Sequence, residues 1–261
     1  MSGADRQSRV ERKTKETEVA VQLNIDGTGS SKVQTPIPFF SHMLEAWSKH
    51  GLMDLAVEGG RDMSGNGRQA RVERKTKETE VAVQLNLDGT GSSKVQTPIP
   101  FFSHMLEAWA KHGLIDLAVE ASGDVEVDIH HTVEDVGIVL GQAFRQALGD
   151  KTGIVRYGTA FVPMDEALVQ ASVDLSGRPF LVFSVPVART RVANFDMDML
   201  QEYFRAFAFN ADLTLHVKMH YGHNLHHITE AVFKAVGRAL AQATRVDPRI
   251  AGILPSTKGS L

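Results

Sequence analysis

Two stretches of this 261-residue chain are nearly one sequence. Residues 9–58 recur as residues 71–120, at an offset of 62, and differ only at Ile25/Leu87, Ser48/Ala110 and Met53/Ile115. Nothing else constrains the fold as strongly, because two segments with one sequence carry one set of local preferences and one hydrophobic pattern. Even the leader Met1-Ser2-Gly3 returns as Met63-Ser64-Gly65. The length prior of one large domain or two small ones is therefore inflated by a duplication. Residues 63–261 hold everything that is not redundant, and they are the working unit.

Composition narrows the class. A hydrophobic share of 43% with 23% charged residues excludes a disordered chain and a membrane protein. Lys+Arg 28 against Asp+Glu 31 leaves a net charge of −3 without a basic face, which argues against nucleic acid as a partner. With no cysteine there are no disulfides, thiolate metal sites or Cys nucleophiles. The first residues hold no apolar segment of signal-peptide kind, and no apolar run approaches the roughly 20 residues of a membrane span. A cytoplasmic protein without membrane contact is expected. The unusual count is 11 histidines, several of them clustered.

Periodicity places the elements. Alternation over 80–87 predicts a strand, the Asp88-Gly89-Thr90-Gly91 turn and a short strand over 93–96 predict a hairpin, and Pro98 and Pro100 lead into a helix over 101–112. Strands are expected at 114–120 and 125–129, and an amphipathic helix at 132–148. The order then restarts, with strands at 156–163, 167–175 and 180–185, a helix at 198–210, a strand at 213–219 and a long helix at 228–244. The expected fold class is α+β, a pseudo-twofold tandem of two similar halves, each with its helices on one face of a sheet. The domains are then 1–62, a truncated duplicate; 63–153, the first half; and 154–261, the second half with a C-terminal tail.

Each half opens its last helix with a histidine doublet and a carboxylate. These are His130-His131-x-x-Glu134 and His226-His227-x-x-Glu230, 96 residues apart. On a helix, residues three and four apart are neighbours, so His130 at i,i+4 or His131 at i,i+3 can share a face with Glu134, and the second motif repeats that spacing with His226, His227 and Glu230. Adjacent histidines diverge by about 100°, so a doublet serves two separate contacts rather than one ion. Two doublets therefore suggest two metals per site, each taking histidine from both halves. Imidazole with carboxylate suits Mn, Fe, Co, Ni or Zn. An isolated histidine such as His112 reads as structural. The glycine-rich turns at 88–91 and 149–153 match no nucleotide-binding fingerprint. Basic residues beside small ones, at Arg156, Arg178 and Lys258, can hold a phosphate, although by themselves they read equally as solvated surface charges.

The motifs Arg74-x-Thr76-x-Glu78-Thr79, Pro100-Phe101-Phe102-Ser103-His104-Met105-Leu106, Asp128-x-His130-His131-Thr132-x-Glu134-Asp135, Asp165-Glu166-Ala167-Leu168, Asp174-x-Ser176-Gly177-Arg178-Pro179, Asn224-x-His226-His227-x-x-Glu230 and Leu254-Pro255-Ser256-Thr257-Lys258-Gly259 together resemble the imidazoleglycerol-phosphate dehydratase family along 71–261. The resemblance implies a tandem of ββαβ-type halves, two manganese ions (Mn2+) per active site, and trimers assembled into a cubic particle of twenty-four subunits. Carried over by motif, the metal ligands are His104, His130, His131, Glu134, His226, His227 and Glu230. Glu202 is the counterpart of His104 in the second half. Substrate and phosphate contacts map to Glu78, Arg156, Arg178, Lys234, Ser256 and Lys258. Glu78 and Glu230 are candidate acid/base groups, with Asp165 behind them. Ala108 departs from the family, where many members have Gln. The implied reaction removes water from D-erythro-imidazole-glycerol phosphate to give imidazole-acetol phosphate in histidine biosynthesis. Alternatives from other classes are a non-catalytic metal-binding shell, a zinc hydrolase, and an assembly variant in which the duplicate alters oligomerisation.

The two copies compete for one place in the fold, and loop entropy separates them. If residues 9–58 filled it, closing the intervening loop of about 62 residues would cost about 3–4 kcal/mol. The second copy is contiguous with the rest, so 71–120 is expected to build the native half and 1–62 to be an appendage. That appendage carries Glu16 and His42 but no HHxxE helix, and its Val19, Val21, Leu23, Leu44 and Trp47 still favour burial. Mobility, packing on the outside or a swap into a neighbouring subunit are the open outcomes.

Overall fold

The computed structural model describes residues 6–13, 18–35, 38–60, 67–186 and 190–258. The chain divides into two compact units, Met1–Gly67 and Arg68–Leu261. Among the described residues no helix is long and apolar enough to cross a membrane.

In the first unit, strands β1 (Gln7–Lys13), β2 (Glu18–Asn24) and β3 (Ser31–Gln34) are followed by helix α1 (Pro38–Gly51) and strand β4 (Asp54–Gly60). The sheet order is β1-β2-β4-β3. The turn after β2 is fixed by Asp54, whose Oδ1 accepts the N–H groups of Thr28 (2.8 Å) and Ser30 (3.0 Å). Among the described residues of this unit, no helix follows β4.

The second unit repeats that plan and completes it. Its first half runs β5 (Gln69–Lys75), β6 (Thr79–Asn86), β7 (Ser93–Gln96), α2 (Pro100–Gly113), β8 (Asp116–Gly123) and α3 (His130–Leu148), with sheet order β5-β6-β8-β7. The second half runs β9 (Tyr157–Met164), β10 (Ala167–Asp174), β11 (Phe180–Ser184), a short ribbon of β12 (Arg191–Val192) and β13 (Phe195–Asp196), α4 (Asp198–Asn210), β14 (Thr214–Tyr221) and α5 (Leu225–Thr244). Its sheet order, β11-β14-β10-β9, is the same arrangement read from the other edge. In each sheet the crossover helix links parallel neighbours, β7 to β8 and β11 to β14.

Burial follows the alternation of the strands. On β6, Val81, Val83 and Leu85 are buried while Glu80 and Gln84 face out, as expected for a sheet with one covered face. The last helix of each half packs on the first helix of the other, α3 on α4 and α5 on α2. Glycines allow the close approach. A Cβ on Gly237 would lie 2.5 Å from the Trp109 carbonyl, and one on Gly141 would lie 2.6 Å from that of Phe207. One core results, shared by both halves and centred on Phe102, Trp109, Tyr203, Phe204, Phe207 and Phe233. Both long helices are therefore gripped at mid-length, and their histidine-bearing N-termini are rigidly placed.

Three details differ from the sequence reading. Strand β7 does not form a hairpin with β6; it pairs parallel with β8, which itself pairs antiparallel with β6. The long turn that begins at Asp88 carries the chain past the position β8 will fill, because Asp116 at the start of β8 supplies its hydrogen bonds. Residues 125–129, expected as a strand, form a turn closed by Val127 N–H donating to the Asp124 carbonyl (2.8 Å). Finally β1 and β5, rich in Arg, Lys and Glu, are polar edge strands whose alternation is too weak to read.

Candidate metal centre

Helix α5 begins where Asn224 caps it. The Asn224 Oδ1 accepts the N–H groups of His226 (3.0 Å) and His227 (3.4 Å), which places the doublet in the first turn. At α3, Asp128 Oδ1 accepts from the His130 N–H at 3.0 Å and does the same for the other doublet. A polar residue two positions before each doublet thus starts each helix.

The first histidine of each doublet faces the glutamate one turn on. His226 Nε2 lies 3.2 Å from Glu230 Oε2, and His130 Nε2 lies 3.9 Å from Glu134 Oε2. His104 of α2 reaches the former pair, 3.8 Å from the same Glu230 oxygen. His104, His226 and Glu230 therefore present ligand atoms all within 4.8 Å of one another, two from the second half and one from the first. Phe101 packs edge-on against His226 at 5.3 Å and walls one side. Lys234 holds the other Glu230 oxygen at 2.7 Å. Burial pushes the Glu230 carboxyl up, but Lys234, His104 and His226 outweigh it and leave the group below its ordinary value. It is a carboxylate at neutral pH, as a ligand must be.

The second histidine of each doublet faces a turn carboxylate. His131 Nδ1 lies 3.4 Å from Glu78 Oε2, in the turn between β5 and β6, and 4.0 Å from Asp124 Oδ1. His227 Nδ1 is 2.7 Å from Glu166 Oε2, in the turn between β9 and β10. Asp165 beside it adopts φ 47, as a two-residue hairpin turn demands, and its carboxylate is 3.5 Å from His227 Nε2. The Glu166 carboxyl is lowered to about 2 by the His227 hydrogen bond and the Asn224 N–H; its partner His227 is raised, chiefly by the same hydrogen bond.

The donor set fits a divalent cation. It consists of imidazole nitrogens and carboxylate oxygens. His131 Nδ1 is buried without a hydrogen-bond partner among the described residues. A buried ring nitrogen without a partner is costly in a purely structural role, and ligation would satisfy it.

Other expected site residues lie elsewhere. Glu202 of α4 is paired with Arg205. Arg156, Arg178 and the tail collect around Asp174 of β10. Arg156 Nε donates to Asp174 Oδ1 (2.7 Å) and its Nη1 to the Pro255 carbonyl (2.8 Å), while Arg178 Nη2 is 3.7 Å from Asp174 Oδ2. Arg156 adopts φ 76, a strained conformation for a residue with a side chain. The tail turns where Ser256 Oγ accepts the Lys258 N–H at 3.2 Å. Two residues outside the candidate site residues of the sequence, Glu166 and Asp124, stand beside the histidines. Glu166 sat in a quoted motif, but the spacing alone does not show that both turn carboxylates, Asp165 and Glu166, meet His227.

The comparisons with known proteins agree with this geometry. The sequence profile of the imidazoleglycerol-phosphate dehydratase family matches residues 97–240. Imidazoleglycerol-phosphate dehydratases from Acetivibrio thermocellus and Thermoanaerobacter pseudethanolicus are 58% and 59% identical over 194 residues, 74% of this chain and 99% and 100% of theirs. The chain belongs to the imidazoleglycerol-phosphate dehydratase family. Crystal structures of the Staphylococcus aureus and Pyrococcus furiosus members superpose with TM-scores of 0.63, at 38% and 36% identity. They cover 69% and 73% of this chain and 99% and 100% of their own. Membership makes the chain a hydro-lyase of histidine biosynthesis, from a metal-dependent family whose fold is the duplicated ββαβ arrangement. A whole relative is matched by about the length of the second unit alone.

Proposed function

We propose that the second unit, Arg68–Leu261, carries out the dehydration of D-erythro-imidazole-glycerol phosphate to imidazole-acetol phosphate with two Mn2+ ions per site, and that the first unit is not needed for it. The observation that carries the reading is the convergence of His104, His226 and Glu230 from two helices of different halves. In this reading these three hold one ion. His130 and Glu134 hold the other, with Glu202 as the pseudo-symmetric counterpart of His104, and His131 and His227 complete the pair. Other divalent metals of similar chemistry are admissible. When bound, the ions supply Lewis acidity to the substrate's imidazole ring and to its hydroxyl.

The chain's own residues do the rest. The proton to be removed sits on the middle carbon of the glycerol chain, next to the carbon that bears the imidazole, and is barely acidic. Glu78 takes it, supported by its position 3.4 Å from His131 and by a side chain that is half exposed. The hydroxyl on the carbon that bears the imidazole departs with a proton as water, and the resulting enol, whose hydroxyl is on the middle carbon, becomes the ketone. Glu230 and Asp165 are the other candidate acid/base carboxylates. Glu230 is committed to Lys234 and two imidazoles, and Asp165 lies open to solvent. Arg156, Arg178, Ser256 and Lys258 bind the phosphate, and Lys234 orients Glu230 while remaining close to the substrate's path. The family resemblance supports trimers building a twenty-four-subunit particle, with sites at subunit contacts, and a cytoplasmic location.

A dehydration assay with metal analysis on the purified chain tests the reading. The expected result is turnover that tracks bound metal, lost in Glu78→Gln with metal retained. Wild-type turnover in Glu78→Gln would remove Glu78 from the acid/base role. Tolerance of change at Arg178 and Lys258 would favour a non-catalytic metal-binding shell.

A further inference from the structure

One buried carboxylate beside the site has no part in the chemistry above. Asp135 follows His131 by four residues on α3, so both side chains leave the helix on one face. Asp135 is only 7% exposed. Its Oδ1 accepts from Arg74 Nε of β5 at 2.9 Å, and its Oδ2 accepts from the Thr79 hydroxyl, the first residue of β6. Those two residues flank the turn that carries Glu78. Inside the turn, the Thr76 and Thr79 hydroxyls are 3.0 Å apart, and Thr76 Oγ1 accepts the Glu78 N–H at 3.1 Å and the Thr79 N–H at 3.0 Å. The Glu78 carbonyl accepts from the Asp124 N–H at 3.3 Å. The backbone of Glu78 is thus fixed on both sides, and its carboxylate is left facing His131.

The second half solves the same problem differently. The position equivalent to Asp135 is Ala231, a buried residue with nothing to donate or accept beyond its backbone. There the turn is anchored by its own carboxylate, Glu166, which is spent on His227 Nδ1 (2.7 Å) and the Asn224 N–H (2.7 Å). A separate anchor in the first half leaves the turn carboxylate available. We infer that Asp135, acting through Arg74 and Thr79, is a positioning residue that holds the Glu78 carboxylate at His131 for proton transfer. This rests on the reading of Glu78 as the proton carrier. Misplacing a reacting group by about 1 Å can cost on the order of 100-fold in rate, which separates the role from that of a stability staple.

The test uses the full-length, metal-loaded chain and measures kcat, KM, metal content and thermal midpoint. Asp135→Asn keeps an acceptor for Thr79 and removes the charge that faces Arg74. It is expected to lower kcat by about 10–100-fold, with KM and metal content within about twofold of the parent. Thr79→Val should do the same, and Thr79→Ser should restore the rate. If both Asp135→Asn and Thr79→Val turn over within about twofold of the parent while folded, Asp135 is a staple and the inference fails. It also fails if the rate is lost together with the metal, since α3 and not Glu78 would then be displaced. Should Asp135→Asn not fold, the Thr79→Val and Thr79→Ser pair decides alone. Glu78→Gln separates the layers: an active Glu78→Gln overturns the proton-carrier reading itself, whereas an inactive one beside an active Asp135→Asn overturns only the positioning.

Discussion

Residues 9–58 and 71–120 fold alike and end in different environments. Both form two antiparallel strands, a third strand, a helix and a fourth strand, in the same sheet order. Both close the same turn on an aspartate, Asp54 or Asp116, with matching distances. Both join the helix to the preceding loop by a Thr–Ser hydroxyl pair, Thr35 with Ser41 or Thr97 with Ser103. Yet Trp47 is 52% exposed where Trp109 is 1%, and Met43 is 50% exposed where Met105 is 0%. In the second copy that stripe lies under α5, with Gly237 against the Trp109 carbonyl. Among the described residues of its own unit, the first copy has no following helix. Local structure was set by local sequence, whereas burial required the two long helices that only the second copy precedes.

The substitutions fit the same division. Ser48 stands where Ala110 stands, buried like it, and its hydroxyl donates to the Met53 carbonyl at 2.7 Å. A polar atom is tolerated there because it finds a partner within its own copy. Ile25 for Leu87 and Met53 for Ile115 are apolar exchanges, which cores accept at small cost.

The widest gap between the copies is expected in chemistry. His104→Ala should lower metal affinity and turnover by at least ~100-fold, while His42→Ala, at the duplicate position, should leave both unchanged. Metal titration and a dehydration assay on the two variants check this, and a loss in His42→Ala would mean that the first copy serves a site. Glu16, the duplicate of Glu78, lies outside the described residues. Next comes stability. Trp109→Ala empties a fully buried position and should cost ~3–5 kcal/mol, whereas Trp47→Ala should stay within ~0.5 kcal/mol. Denaturant unfolding followed by circular dichroism would separate them, and equal costs would show that the first copy is buried in solution.

Removing residues 1–67 is expected to leave kcat within about twofold, because no step of the reaction draws on them, and to reduce binding of an apolar dye at the exposed stripe. A collapse of activity or assembly would overturn the separation of the units. The smallest effect concerns acid. Hydrogen bonds from the Thr90 and Ser92 N–H groups hold Asp116 below its ordinary value, and Thr28 and Ser30 do so for Asp54. A carboxyl lowered in the folded state stabilises above its unfolded value, and that contribution is lost as pH falls through the folded value. Asp116→Asn should therefore flatten the acid side of the second unit's stability profile, and Asp54→Asn should leave it unchanged. Midpoints measured from pH 5 downwards would show a shared response if the units unfold together.

Much was legible beforehand. Helix α4 begins and ends where its period predicted, and the i,i+4 spacing of His226 and Glu230 announced the contact that the structure contains. Apart from the turn over 125–129, the failures are set by distant neighbours or by the finished turn. The partner of β7 is β8, which lies beyond a whole helix, and hydrophobic alternation within a strand carries no record of its neighbour. Glu166 is not legible as a histidine partner because only the finished turn brings it, beside Asp165, to His227 some sixty residues on. Asp135 closes a quoted motif without a role of its own, because its partners Arg74 and Thr79 sit some sixty residues back in the chain.

The sequence by itself determined the duplication, the tandem of two related halves, the histidine doublets and the carboxylates one helical turn beyond them. Those are properties of spacing and period, which act over a few residues and survive in any context. Contiguity already favoured the second copy for the native half; only the tertiary structure decided which helix covers it and how His104 meets His226 and Glu230. Those outcomes depend on packing between segments more than a hundred residues apart, where a helix that can approach closely at glycine excludes every other arrangement of the same core.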